Sequence, residues 1–159
     1  MSELPVSAAE LGGIELLRDV PVAELEPLAA VATRRMLADG AVLFEQGAPA
    51  RTLYVVLEGG LVLRSGRDGH SVIVETVEPG EVVGWGAMRE HATTLSTARA
   101  VGQTIVVAIP VDPLIDLAAG GSTRSRELLQ RLIGLAAAQL EASRQQLLRA
   151  GREGVITAG

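Results

Sequence analysis

The spacing of apolar and polar positions divides the chain into three stretches. Over residues 11–37, "LGGIELLRDVPVAELEPLAAVATRRML" sets Leu25, Leu28, Ala29 and Ala32 at helical intervals. Pro21 and Pro27 cut this stretch into short helices, and Pro21 can open one because its missing N–H is not needed there. Over residues 39–118 the period changes. "VLFEQG", "LYVVLEGGLVLRSG", "SVIVETVEPGEVVG" and "QTIVVAIPV" are short runs rich in β-branched residues. Turn signals separate them at Asp39-Gly40, Gly47, Gly59-Gly60, Asp68-Gly69 and Pro79-Gly80. "LVLRSGRDGHSVIV" is the clearest hairpin, with Asp68-Gly69 near its tip. Many short strands without βαβ alternation predict a small sandwich, barrel or jelly roll.

The third stretch, 122–150, predicts one long helix. Gly120-Gly121 breaks the chain, Ser122 can cap, and no proline follows before Gly151. A heptad seam runs through Leu129, Ile133, Ala136, Leu140, Ser143, Leu147 and Ala150, with a second strip at Leu128, Leu132 and Leu135. The helix can therefore pack on its own barrel, pair with a second copy, or do both. The expected organisation is an N-terminal helical segment (1–38), a β-barrel (39–119), a dimerisation or signalling helix (120–151) and a flexible tail (152–159).

Composition narrows the function classes. The chain has 159 residues, sufficient for one domain with a real core, and only 2% are aromatic, so Val, Leu, Ile and Ala must fill that core. A net charge of −5 lacks the basic footprint of a general nucleic-acid binder. With no cysteine, disulfides, thiolate metal sites and cysteine nucleophiles are excluded. The N-terminus "MSELPVSAAELGG" does not read as a secretory signal, and no apolar run approaches the ~20 residues of a membrane span. A cytoplasmic protein without cofactor is expected.

Little else suggests reaction chemistry. His70 falls near the hairpin tip and His91 in a later loop, neither at metal-ligand spacing from another ligand. Glu45, Glu58, Glu75, Glu78 and Glu81 form no obvious catalytic pair, and no Gly-rich loop followed by lysine is present, so no enzyme is expected. Arg34-Arg35 and Arg124 with Arg126 read as solvated helix faces.

"LADGAVLFEQGAPARTLYVVLEGGLVL" followed by "VEPGEVVG" resembles the cyclic-nucleotide-binding domain of Crp/Fnr-type regulators and kinase regulatory subunits. The matching residues are Gly40, Phe44, Gly47, Leu53-Tyr54-Val55-Val56, Gly59, Pro79-Gly80 and Gly84. The resemblance implies a double-stranded β-helix (jelly-roll) barrel, mainly β, with short N-terminal helices and a long C-terminal helix. It also implies a phosphate cassette of the form Gly-Glu-x-Ala-Leu, a short loop, then Arg-x-Ala-x-Val-x-Ala. In that family the glutamate accepts from the ribose hydroxyl, while the arginine and backbone N–H groups hold the cyclic phosphate.

Here the segment reads "GWGAMREHATTLSTARA". Gly84 takes the glycine position and Trp85 that of the glutamate; Ala87 and Met88 follow the Ala-Leu pair. Thr94 takes the arginine position, and Ser96, Ala98 and Ala100 follow the Ala, Val and Ala. Both charged ligand contacts are absent. Arg99 should face away from Ser96 and Ala98 on a regular strand, and Arg89 lies in the loop. The candidate site is Gly84, Trp85, Gly86, Ala87, Met88, Thr94, Leu95, Ser96 and Thr97, suited to a neutral or partly apolar ligand. Either Trp85 contributes to that ligand site or it simply plugs the pocket.

The expectation is a regulatory module that does not bind cyclic AMP or cyclic GMP in the conventional way. It would form a homodimer through the long helix and signal to a protein partner. The family's transcription factors continue into a helix-turn-helix after that helix; this sequence leaves no room for one, so direct DNA recognition is not expected. Two alternatives stay open: a ligand-free dimeric docking module, and a true cyclic-nucleotide sensor with an atypical clamp.

Overall fold

The structure, a computed structural model, describes the backbone of residues 2–158 and the side chains of 2–151. Among the described residues, nine strands form two antiparallel sheets. They are β1 (Ser2–Pro5), β2 (Thr33–Leu37), β3 (Val42–Phe44), β4 (Thr52–Glu58), β5 (Leu61–Arg67), β6 (His70–Val77), β7 (Val82–Val83), β8 (Thr97–Ala100) and β9 (Thr104–Pro110). One sheet has the order β1-β2-β9-β4-β7 and the other β3-β8-β5-β6, the jelly-roll arrangement. Helices α1 (Ala8–Gly12), α2 (Val22–Ala29), α3 (Val111–Ala118) and α4 (Thr123–Ala158) complete the fold.

Two strands are apolar on both faces, and this explains their unbroken hydrophobic runs. From β4, Tyr54 and Val56 enter the barrel interior with Leu61, Leu63 and Val77, while Leu53 and Val55 face the helices. From β9, Val106 and Ala108 point inward, and Val107 and Ile109 outward to the same helical layer. That layer receives Leu11, Leu25 and Leu28 from the N-terminal helices, Leu114 from α3, and Leu128 and Leu132 from α4. Each such leucine contributes roughly 1.5–3 kcal/mol relative to exposure. Two of the three aromatic side chains are placed together, with Phe44 stacked on Tyr54 at 5.6 Å between ring centroids.

The Asp68-Gly69 hairpin forms as the sequence predicts. Arg67 pairs with His70, and Asp68 and Gly69 take φ of 54° and 81°, as a two-residue loop with left-handed central residues requires.

Four elements differ from the expectation. Residues 33–37 are strand β2, not helix, because β9 supplies a full ladder of partners from Thr33↔Ala108 to Leu37↔Thr104. Strand β1 adds to the free edge of β2. Arg34 and Arg35 thus sit on a strand, where they pair with Glu10 and Glu3 rather than lining a solvated helix. Residues 111–118, expected within the strand region, form α3, which buries Val111, Leu114 and Ala118 on one face. The long helix continues past Gly151 to Ala158; the side chains of the expected flexible tail, 152–159, lie outside the described residues.

Helix α4 is fixed near its start. Ser122 Oγ accepts from Ser125 N at 3.0 Å, capping the first turn. Arg131 donates to the carbonyl oxygens of Leu16 and Arg18, which ties the helix to the 3-10 turn Glu15–Leu17.

Candidate functional site

The segment after β7 begins with a backbone reversal. Gly84 has φ 97° and opens the 3-10 turn Trp85–Met88, with Ala87 N donating to Gly84 O at 3.0 Å. A Cβ on Gly84 would lie 2.6 Å from Thr52 O of β4, so only glycine fits. Glu81 belongs to the preceding turn: its Oε1 accepts from Glu78 N at 2.9 Å.

This turn borders a cavity of about 600 Å³ between the open side of the barrel, strand β6 and helix α4. Gly84, Trp85, Gly86, Thr94, Leu95 and Ser96 of the predicted residues line it. Trp85 does not plug it. The indole packs against the helical-layer core and forms a wall, leaving the cavity open. Three predicted residues fall outside the lining. Ala87 is buried towards the helical layer and Met88 packs there too. Thr97 alternates to the outer side of β8, where it borders a surface depression with Arg64 and Arg99. Arg99 faces outward as expected and donates to Gly40 O at 3.2 Å, while Ala98 is fully buried.

Hydroxyl groups at the cassette are largely committed. Thr94 Oγ1 accepts from Ala48 N at 3.1 Å and donates to the Glu45 carbonyl. Its backbone is zipped to the same loop through Gly47 N to Thr94 O and Thr94 N to Ala48 O, both 2.8 Å. Thr97 Oγ1 accepts from Gln46 N at 2.9 Å. Ser96 shares a 2.6 Å hydrogen bond with Ser65. At the position of the family's arginine, a threonine therefore holds a loop rather than offering a cation. Arg89 supplies no substitute, since it lines a separate depression with Arg51, His91 and Asp112. No arginine, lysine or histidine lines the main cavity among the described residues.

The sequence reading missed the remaining walls. Phe44, Leu63, Val72, Val74 and Val83 come from the barrel, and Gln139, Ser143, Gln146, Leu147 and Ala150 from α4. Glu75 is the one ionisable lining residue among those described, and Gln139 Nε2 donates to its Oε1 at 2.5 Å. Its parity with inward-facing Val77 was the available signal. Burial raises the Glu75 carboxyl above the ordinary range; the Gln139 bond opposes this and Glu81 adds to it.

The raised value fixes the direction of a pH effect. Folding strengthens proton binding at Glu75, so its favourable contribution is complete below the ordinary carboxylate range and is lost as pH rises through the raised value. Glu75→Gln, which can still accept from Gln139, should therefore gain stability over the parent at pH 7, and that gain should shrink at pH 4. Urea denaturation at both values checks it; a difference independent of pH refutes it.

The predicted dimer seam is divided. Ala136 is half-buried, and Ser143 and Leu147 line the cavity. Leu129, Ile133, Leu140 and Leu147 are 44%, 60%, 72% and 74% exposed, an apolar line along the side of α4.

The two facing sheets, the retained glycine turn and the long C-terminal helix define a jelly-roll barrel of the cyclic-nucleotide-binding type. A family model for the cyclic nucleotide-binding domain matches residues 34–120, more than half of the chain, and the chain belongs to that family. Among solved structures it is similar to a putative cyclic nucleotide-binding protein from Geobacter metallireducens: 22% identity, TM-score 0.69, covering 85% of this chain and 98% of that one. It is also similar to a cyclic nucleotide-binding-like protein from Brucella abortus, at 28% identity and TM-score 0.56 over 70% of this chain and 96% of that one. A mutant form of a cAMP-binding acyltransferase from Mycobacterium smegmatis matches at 26% identity and TM-score 0.70, over 85% of this chain but only 41% of the acyltransferase. No match was found among curated protein sequences. Among the described residues no helix is long and apolar enough to cross a membrane.

Proposed function

We propose that the chain is a non-enzymatic regulatory module whose cavity takes a ligand other than a conventionally clamped cyclic nucleotide, and which signals through α4 to a protein partner. One observation carries this reading: Thr94, at the arginine position, spends its hydroxyl on the Glu45 and Ala48 backbone, and no cationic side chain lines the cavity among the described residues. A cyclic phosphate entering there would lose its hydration without a counter-charge. Helix α4 contributes walls to the same cavity, so occupancy and helix position are coupled. The Mycobacterium smegmatis relative is described as cAMP-binding; that activity does not carry over to a cavity lacking both charged contacts. Calorimetric titration with cyclic AMP and cyclic GMP should give no micromolar binding. A micromolar dissociation constant for either would overturn the proposal in favour of a true sensor.

The exposed leucine line on α4 supports a homodimer, with Leu140 near its middle. Sedimentation velocity should find the parent as a dimer and Leu140→Glu as a monomer, because a carboxylate buried in the pairing seam has no partner there. An unchanged species would remove this seam from the interface.

A further inference from the structure

Strand β6 puts one charged group on an otherwise apolar inner wall. Glu75 lies directly opposite buried Leu63 in the β5–β6 pair, and opposed residues share a face. Its carboxylate meets a cavity walled by Phe44, Leu63, Val83 and Trp85. Gln139 occupies one of its oxygens, and an ionised carboxylate has further accepting capacity.

We infer that the cavity selects a small amphipathic amine, its apolar body against Trp85 and its protonated head on Glu75. The inference rests on the reading of this cavity as a ligand site that is not for cyclic nucleotides. Charge sign decides the class of ligand. An anionic ligand of the same shape would bring a second negative charge beside Glu75 with no cation in the described lining of this cavity; Arg149 borders the neighbouring depression that Glu75 also reaches. An ammonium head neutralises the carboxylate already there and donates hydrogen bonds to it. Burial and the neighbouring Glu81 raise the proton affinity of Glu75, and a bound cation would oppose both. Gln139 belongs to α4, so the head group binds at the one side-chain hydrogen bond linking β6 to the helix among the described residues. Ligand chemistry is thereby read at the contact between barrel and helix.

The sole tryptophan lies in the cavity wall and serves as the reporter. Octylamine, octanol and octanoate, matched in chain length, are titrated at pH 8 below their aggregation limits while Trp85 emission is followed. Octylamine should bind at least tenfold more tightly than octanoate. In Glu75→Gln the amine should weaken about tenfold and the discrimination should vanish, with octanol nearly unchanged; this separates site binding from general attraction of an amine to an acidic protein. In Gln139→Ala the preference for the amine should persist. The inference is overturned if octanoate binds as tightly as octylamine, if the preference survives Glu75→Gln, or if none of the three alters Trp85 emission. Those failures leave the exclusion of cyclic nucleotides standing, since calorimetry with cyclic AMP and cyclic GMP decides it separately.

Discussion

Trp85→Glu combined with Thr94→Arg should create cyclic AMP affinity about two to four orders of magnitude above that of the parent. Two charge-assisted hydrogen bonds contribute roughly 1.5–3 kcal/mol each, and each tenfold in affinity is about 1.4 kcal/mol. The frame for them is in place: Gly84 holds the turn, the cavity is open at about 600 Å³, and Ser96 and Ala98 follow Thr94 on the inner side of the wall. There is an opposing cost. Thr94→Arg removes the hydroxyl that Ala48 N donates to, at about 1 kcal/mol. Thr94→Arg alone should therefore gain less than the pair. Calorimetric titration of parent, single and double variants measures this. A double variant that unfolds cooperatively yet gains no affinity would show that Trp85 and Thr94 do not occupy the clamp positions.

Gly84→Ala should lose roughly 2–4 kcal/mol of stability, the largest single-residue effect expected at the site. The residue is at φ 97°, and the added Cβ would sit 2.6 Å from Thr52 O. That oxygen belongs to β4, which β9 holds on one side and β7 on the other, so the neighbour cannot move aside. Gly80→Ala is the control: its φ of 89° imposes backbone strain, but nothing lies within 4 Å of its added Cβ. It should cost about 1 kcal/mol. Urea denaturation of the two variants isolates the collision as their difference. Equal losses would show that β4 or the turn relaxes freely.

The barrel was legible because its signals are local. Asp68-Gly69 fixes a hairpin by turn chemistry, and "TLYVVL" and "TIVVAI" announce strands buried on both faces. At the cassette, Gly84 was legible as a turn glycine, and six of the nine candidate residues line the cavity. Misreadings came where tertiary partners decide. "ATRRML" carries helical spacing, but β9 offers it a ladder and the strand wins. "VDPLIDLA" continues an apolar strand run, yet it turns helical to cover the outer face of the sheet. The α4 wall of the cavity was hidden for a related reason. Gln139, Ser143 and Leu147 reach it only because Leu128 and Leu132 settle α4 on the helical layer and Arg131 fastens it to the N-terminal turn. The β-bulge between Leu63 and Arg64 shifts the register of β6 beyond Glu75, so Val72, Ile73 and Val74 all reach the wall without plain alternation.

The place of β9 bears on how the chain is made. It lies between β2 and β4, pairing Arg34 with Val107 and Tyr54 with Ala108. A ribosome delivers β2 and β4 long before β9, and until it arrives each keeps a bare hydrogen-bonding edge next to apolar side chains such as Val56. These pairings also close long loops, a slow step in any folding reaction. The barrel is therefore completed only once β9 has emerged, and the nascent chain before that point is the form most exposed to aggregation and to chaperone capture.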